Sequence, residues 1–361
     1  MFMKKIGRQV LFIAPSENNP RNGEGAFIRL KDGSIMYAYT EYIGNNWHDH
    51  ANARISAVVS YDEGETWSEK RVLYVKNPDD LNLMSLSFLR MKNGDVGLFF
   101  IRKEMTDGLI NCKLNIIRSA DEGKTWSEAI CCIDRNGYFV TNNDRVVRLS
   151  DGRIMFPGNL HEWKPETHDG VEGVCKECFF FVSEDDGYTW SIAGETEKCN
   201  FLESGTRTGL HENGIYELTD GRIMTWSRTD LGTQVFSYSS DGGKSWTPPM
   251  PKVFFTSAVS PLQIKDIGKY TLAIFNPTPE YLGRNRDKTW GRTPYVCAVS
   301  TDKGLTFDKV FYLEDDPDNG YCYPALIEVE GGFLVAYYHS NNSGVCLNSA
   351  KIVKVMFSEI E

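Results

Sequence analysis

One eight-residue pattern recurs five times in this chain and constrains its fold more than any other feature. The pattern is Ser-x-Asp-x-Gly-x-Thr/Ser-aromatic, at Ser60 to Trp67, Ser119 to Trp126, Ser183 to Trp190, Ser239 to Trp246 and Ser300 to Phe307. Successive copies begin 59, 64, 56 and 61 residues apart. Asp and Gly at fixed offsets specify a tight turn in which the Asp side chain holds backbone N–H groups. The aromatic anchors that turn on a core. Such a period means repeated supersecondary units, not the two or three domains that a length of 361 residues would suggest.

A second turn recurs between these: Asp32-Gly33, Asn93-Gly94, Asp151-Gly152, Asp220-Gly221, Ile267-Gly268 and Gly331-Gly332. Asx-Gly between apolar runs is a strong hairpin signal. Each copy of the first motif follows a β-rich run, such as Arg54 to Val59 or Tyr295 to Val299. Each unit therefore reads strand, hairpin turn, strand, loop, strand, Ser/Asp turn, strand. The fold this predicts is all-β, a six-bladed β-propeller of four-stranded antiparallel blades, with residues 1–361 as one domain. Six hairpin turns stand against five Ser/Asp turns. The spare N-terminal strand, about Gln9 to Ala14, is expected to complete the last blade and close the ring.

Charge and composition exclude some functions. With 49 acidic against 39 basic residues the net charge is -10, which is not the footprint of a nucleic-acid binder. No run of 18 apolar residues is present, so no membrane helix is expected. Gly7, Arg8 and Gln9 interrupt the N-terminal apolar run, which does not read as a secretory signal. The nine cysteines form no framework, and free thiols in a cytoplasmic protein are expected. Cys175-Lys-Glu-Cys178 lacks a second pair at zinc spacing, and neither metal nor cofactor is expected. Oligomeric state is left open.

The repeat also places the functional end. Hairpin turns lie at one end of each unit, so the start of the inner strand and the end of the next lie at the other. Counting nine residues back from each hairpin Gly gives Glu24, Ser85, Asn143, Glu212, Val259 and Tyr323. Counting seven forward gives Thr40, Ile101, Asn159, Arg228, Phe275 and His339. Polar residues from several units converge there, as at a binding site.

The repeated Ser-x-Asp-x-Gly-x-Thr-Trp turns resemble the Asp boxes of the sialidase (neuraminidase) superfamily, over most of the chain. Three further segments are similar to that family: His211-Glu212-Asn213 leading to Asp220-Gly221 and Arg228, Arg292-Thr-Pro-Tyr before Ser300, and Tyr323-Pro-Ala-Leu326. The resemblance implies Tyr323 as nucleophile, Glu212 as its base, and Arg228 and Arg292 as ligands of a sugar carboxylate. Family members typically begin with Arg-Ile-Pro. Here the segment is Pro20-Arg21-Asn22-Gly23-Glu24, which makes Arg21 the third arginine, in preference to Arg29, and adds Glu24 as an extra carboxylate. The family's acid/base Asp matches Asp49 in Trp47-His48-Asp49-His50, where His48 or His50 could replace or tune it.

Asn143 and Arg145, at the start of the third inner strand, are further candidates for substrate contact. His161 and Trp163 sit in a loop long enough to form a rim, and Arg284 and Arg286 in another could rival Arg292. Arginine suits a carboxylate because its planar fork binds both oxygens and stays charged. A Tyr nucleophile avoids the repulsion that a carboxylate nucleophile would meet, and as a phenol it needs an adjacent base. The expected substrate is a sialoglycan or another acidic carbohydrate. Alternatives are a hydrolase or lyase of uronic-acid type and a non-catalytic glycan-binding propeller.

Overall fold

The computed structural model describes residues 3–163, 171–194, 196–198, 206, 208–279, 289–340 and 347–361. The chain is built from largely antiparallel sheets in sequence order. The first holds Asn22–Arg29, Ile35–Tyr42, Ala53–Ser60 and Arg71–Val75. Another holds His211–Glu217, Ile223–Arg228, Thr233–Ser239 and Met250–Thr256, and the next Gln263–Ile267, Tyr270–Phe275, Tyr295–Ser300 and Lys309–Glu314. The last joins Tyr321–Val329, Gly332–His339 and Ser349–Met356 to the N-terminal strand Arg8–Ile13, which pairs antiparallel with Ser349–Met356. The spare N-terminal strand is thus bound to the C-terminal one.

The second and third repeats depart from the expected separate blades. They share a ten-stranded sheet. Tyr138–Val140 pairs antiparallel with Ile154–Trp163 and parallel with Leu109–Ser119, through Tyr138 and Cys112, so it bridges the two units. The Leu109–Ser119 strand is long and leaves backbone groups at its start for that bridge, and Gly137 O accepts from Cys112 N.

The Asp-box turns form as their residues dictate. In the first, Ser60 Oγ accepts from Gly64 N at 2.8 Å, and Asp62 accepts from Thr66 N at 2.9 Å and from the Thr66 hydroxyl at 2.6 Å. Gly64 has φ of 84°, which a β-carbon would strain, and a β-carbon there would also strike Leu334. Each motif aromatic then packs into the core shared with the preceding unit. Trp67 joins the cluster of Phe27, Tyr37, Leu334 and Ile352, and Trp126 that of Met36, Ile55, Leu98 and Phe100. Trp190, Trp246 and Phe307 repeat the arrangement further along. Cores therefore lie between consecutive sheets, and one lies between the last sheet and the first. Middle strands such as Tyr295–Ser300 are buried along their whole length, whereas the outer Met250–Thr256 is mostly exposed.

Arginines near the ends of inner strands clamp the units together. Arg29, Arg90 and Arg148 each bond the carbonyl of their own hairpin Gly and an Asp-box acid, Glu63, Glu122 or Asp186. Each also donates to a backbone carbonyl of the preceding unit, at Glu328, Arg29 and Arg90 respectively. Arg29 is thus a structural residue at the hairpin end. Arg284, Arg286 and the Trp163 side chain lie outside the described residues.

Candidate active site

The inner strands begin with a shared irregularity. Glu24, Ser85, Asp144, Glu212 and Tyr323 all have positive φ, between 49° and 59°. Register shifts between Gly23 and Ala26, Met84 and Ser87, His211 and Gly214, and Cys322 and Ala325 mark Glu24, Ser85, Glu212 and Tyr323 as bulges. A left-handed non-glycine residue costs on the order of 1 kcal/mol, and such strain collects at functional sites. The bulge re-aims the side chain. Glu24, Ser85, Glu212 and Tyr323 line one cavity of about 500 Å³.

In the third unit the left-handed residue is Asp144, one position later than the hairpin count gives. This shift moves the two candidates there. Asn143 and Arg145 are absent from the cavity lining, which Asn142 joins instead. Asn143 Nδ2 donates to the carbonyls of Gly25, at 3.0 Å, and of Tyr323 and Pro324. Arg145 is 1% exposed and bonds Gln263 and the Leu262 carbonyl, and burial lowers its pKa to about 10. Both tie inner strands to one another, away from the cavity lining.

The remaining candidates meet. Tyr323 Oη donates to Glu212 Oε1 at 2.7 Å, and Arg228 Nη1 donates to Glu212 Oε2 at 2.9 Å. The Arg292 guanidinium lies 5.5 Å from the Tyr323 ring centre and donates to Cys322 Sγ at 3.1 Å. Arg21 Nη2 donates to Glu24 Oε1 at 2.7 Å and Arg21 Nη1 to Asp49 Oδ1 at 2.6 Å. The Ser85 hydroxyl bonds the other Glu24 oxygen. His48 lines the cavity, its ring stacked 4.5 Å from that of Trp47.

Electrostatics divide the three carboxylates. Burial would raise the Glu212 pKa, but the charge and hydrogen bond of Arg228, with His211 and the Tyr323 hydroxyl, bring it down to about 2. The side chain of Asp49 opens to the cavity, but the surrounding protein still opposes its charge; Arg21 and Lys103 nevertheless hold it well below the usual carboxylate range. Glu24 moves the other way, because burial, Asp49 and Glu212 outweigh Arg21 and Ser85. Burial and the Glu212 charge push the Tyr323 phenol well above its ordinary value. In the resting site Tyr323 is a neutral donor to an ionised Glu212.

Sequence reasoning did not find Lys103, Tyr138 or Trp290, which also line the cavity. No motif marks them. Lys103 does follow Ile101 by two residues, the interval that returns a strand side chain to the same face. Its ammonium is buried and donates to the Asp49 carbonyl at 2.9 Å.

Comparison with known proteins decides the family. A model described as the BNR repeat-like domain matches residues 85–336. The chain belongs to the BNR repeat-like family. A sialidase of Bacteroides fragilis (strain YCH46) is 23% identical over 258 residues, covering 68% of this chain and 42% of that protein. An anhydrosialidase of Macrobdella decora is 27% identical over 177 residues, covering 46% and 22%. This BNR-repeat chain thus spans less than half the length of either relative. Among solved structures, the intramolecular trans-sialidase of Ruminococcus gnavus, in complex with oseltamivir carboxylate, superposes with a TM-score of 0.71 at 14% identity, covering 98% of both chains. The two share a fold.

Proposed function

We propose that this chain is a sialidase-like retaining exo-glycoside hydrolase that releases terminal sialic acid, or a related acidic sugar, from glycans. The observation that carries the reading is the 2.7 Å hydrogen bond from Tyr323 to Glu212 in a cavity that also holds Arg21, Arg228 and Arg292. Binding alone does not need a phenol set on a carboxylate, so the pair favours catalysis over a glycan-binding role. The names of the relatives, sialidase and anhydrosialidase, support the same substrate class.

In this mechanism Arg228 and Arg292 take the sugar carboxylate. Tyr323 Oη attacks the anomeric carbon as its proton passes to Glu212. The bond to the leaving oxygen breaks, and Asp49, which first takes a proton from solvent, passes that proton to the leaving oxygen. Asp49 then takes a proton from water, which displaces the tyrosyl oxygen, and Glu212 returns its proton to Tyr323. Two displacements at one carbon retain configuration. A carboxylate seated on Arg228 weakens that arginine's hold on Glu212 and so raises its basicity where a base is needed.

We read residues 1–361 as one six-bladed propeller, closed by pairing of Arg8–Ile13 with Ser349–Met356. The core shared by the last and first sheets supports that reading. We place the protein in the cytoplasm, which suits the thiols of Cys112, Cys131, Cys132, Cys297 and Cys322. A fluorogenic sialoside assayed beside a panel of aryl uronides tests the function. Turnover of the sialoside supports it, and turnover of uronides alone would replace it with the uronic-acid alternative.

A further inference from the structure

Arg21 differs from the other two arginines in how fully it is occupied. It is 2% exposed, and protein groups take its donors on every nitrogen: Tyr338 Oη on Nε at 2.9 Å, Glu24 on Nη2 at 2.7 Å, and the Trp47 carbonyl and Asp49 on Nη1. Four of its five N–H donors are so taken, and a ligand carboxylate that is to grip Arg21 through two nitrogens must therefore displace a partner. The two carboxylates on it are not equivalent. Glu24 is 3% exposed and held by Ser85, whereas the Asp49 side chain is 54% exposed.

The surroundings allow Asp49 to leave without its loop. Its backbone carbonyl is held by Lys103 at 2.9 Å, and Asn82 holds the carbonyl of Ala51 at 2.6 Å. Side-chain rotation alone would break the Arg21 contact. Charge favours the exchange as well. The cavity lining gathers Arg21, Lys103, Arg228 and Arg292, basic surroundings in which a ligand carboxylate can replace that of Asp49.

We propose that Asp49 is an internal stand-in for the substrate carboxylate, held on Arg21 until a ligand carboxylate displaces it. This rests on the sialidase-type reading for the identity of the ligand. Freed from Arg21 and facing a new negative charge, Asp49 takes a proton from solvent and becomes the acid for the leaving oxygen. The device links recognition to chemistry: a glycoside without a carboxylate leaves Asp49 ionised on Arg21. Asp49 thereby becomes a specificity determinant in addition to an acid.

The test is binding of an unreactive carboxylate analogue, 2-deoxy-2,3-didehydro-N-acetylneuraminic acid, by calorimetry to wild type, Asp49→Asn and Asp49→Ala. Removing the competitor is expected to tighten binding about tenfold in Asp49→Ala, the worth of one charge-assisted hydrogen bond. Asp49→Asn, which keeps the shape and loses the charge, is expected to fall between. Equal or weaker binding in both variants, with wild type binding measurably, overturns the proposal. A second arm is independent of the sugar: crystals of wild type and Asp49→Ala soaked in formate. Formate on Arg21 only in the variant supports the exchange. An Arg21 that turns to a new protein partner without formate overturns it. Failure of all three proteins to bind the analogue would sink the sialic-acid reading and leave the formate arm to decide the exchange.

Discussion

Tyr323 and Glu212 come from inner strands of different sheets, more than a hundred residues apart, and each stands on a left-handed bulge, with φ of 58° and 51°. The same backbone device thus aims both members of the hydrogen-bonded pair. Because the bulges are strained for any residue but glycine, the pair depends on the sheets that flank it. The phenol keeps its proton at rest because burial and the neighbouring carboxylate both oppose its ionisation.

Tyr323→Phe removes the attacking oxygen and almost no volume. Turnover of a fluorogenic sialoside should fall by about 10³-fold or more, while calorimetry still detects the unreactive analogue. Unchanged turnover would remove Tyr323 from the mechanism.

Arg292→Ala removes a guanidinium that reaches the ring of Tyr323. The analogue should bind about thirtyfold more weakly, about 2 kcal/mol for a charge-assisted contact. Arg292→Lys should recover only part, because an ammonium cannot present a planar fork. Full affinity in the alanine variant would exclude Arg292 from carboxylate binding.

Acid should unfold this protein partly through Glu212. Its pKa in the fold, about 2, lies below the ordinary carboxylate value. Its contribution to stability is therefore complete above the unfolded pKa of about 4 and is lost as pH falls from there towards about 2. The linkage is on the order of 3 kcal/mol. Urea midpoints between pH 7 and pH 3 should fall more steeply for wild type than for Glu212→Gln. Parallel slopes would show that Glu212 is not held ionised.

Asn143→Ala should act on the fold and not on the ligand. Its amide serves carbonyls of Gly25, Tyr323 and Pro324, which would be left without that donor. We expect a loss of about 2 kcal/mol in unfolding free energy, read from the urea midpoint, with analogue affinity unchanged. A large loss of affinity at unchanged stability would return Asn143 to the list of ligand contacts.

Local chemistry made much of this molecule legible in advance. Five Asp-box turns, six hairpins and the strands between them follow from residues at fixed offsets, because a tight turn is closed by groups within a few residues of one another. Those turns set the period, and the period placed Glu24, Ser85, Glu212 and Tyr323 at the same point of four of the six units. It could not show that the third inner strand runs one residue short, which turns Asn143 and Arg145 inward as struts. Nor could it foresee that Tyr138–Val140 joins two repeats into one sheet, since that pairing depends on an edge left open by another unit.

By itself, then, the sequence determined the repeated unit, its turns and the end at which polar side chains gather, all of which are short-range matters of backbone and turn residue. The tertiary structure alone decided the rest: that Asp49 sits on Arg21, that buried Lys103 anchors the loop carrying Asp49, and that Glu212 is ionised while Tyr323 is not. Those are contacts between residues far apart in the chain, the last two of them between units, and their energies depend on burial and on charges brought together only when the sheets pack.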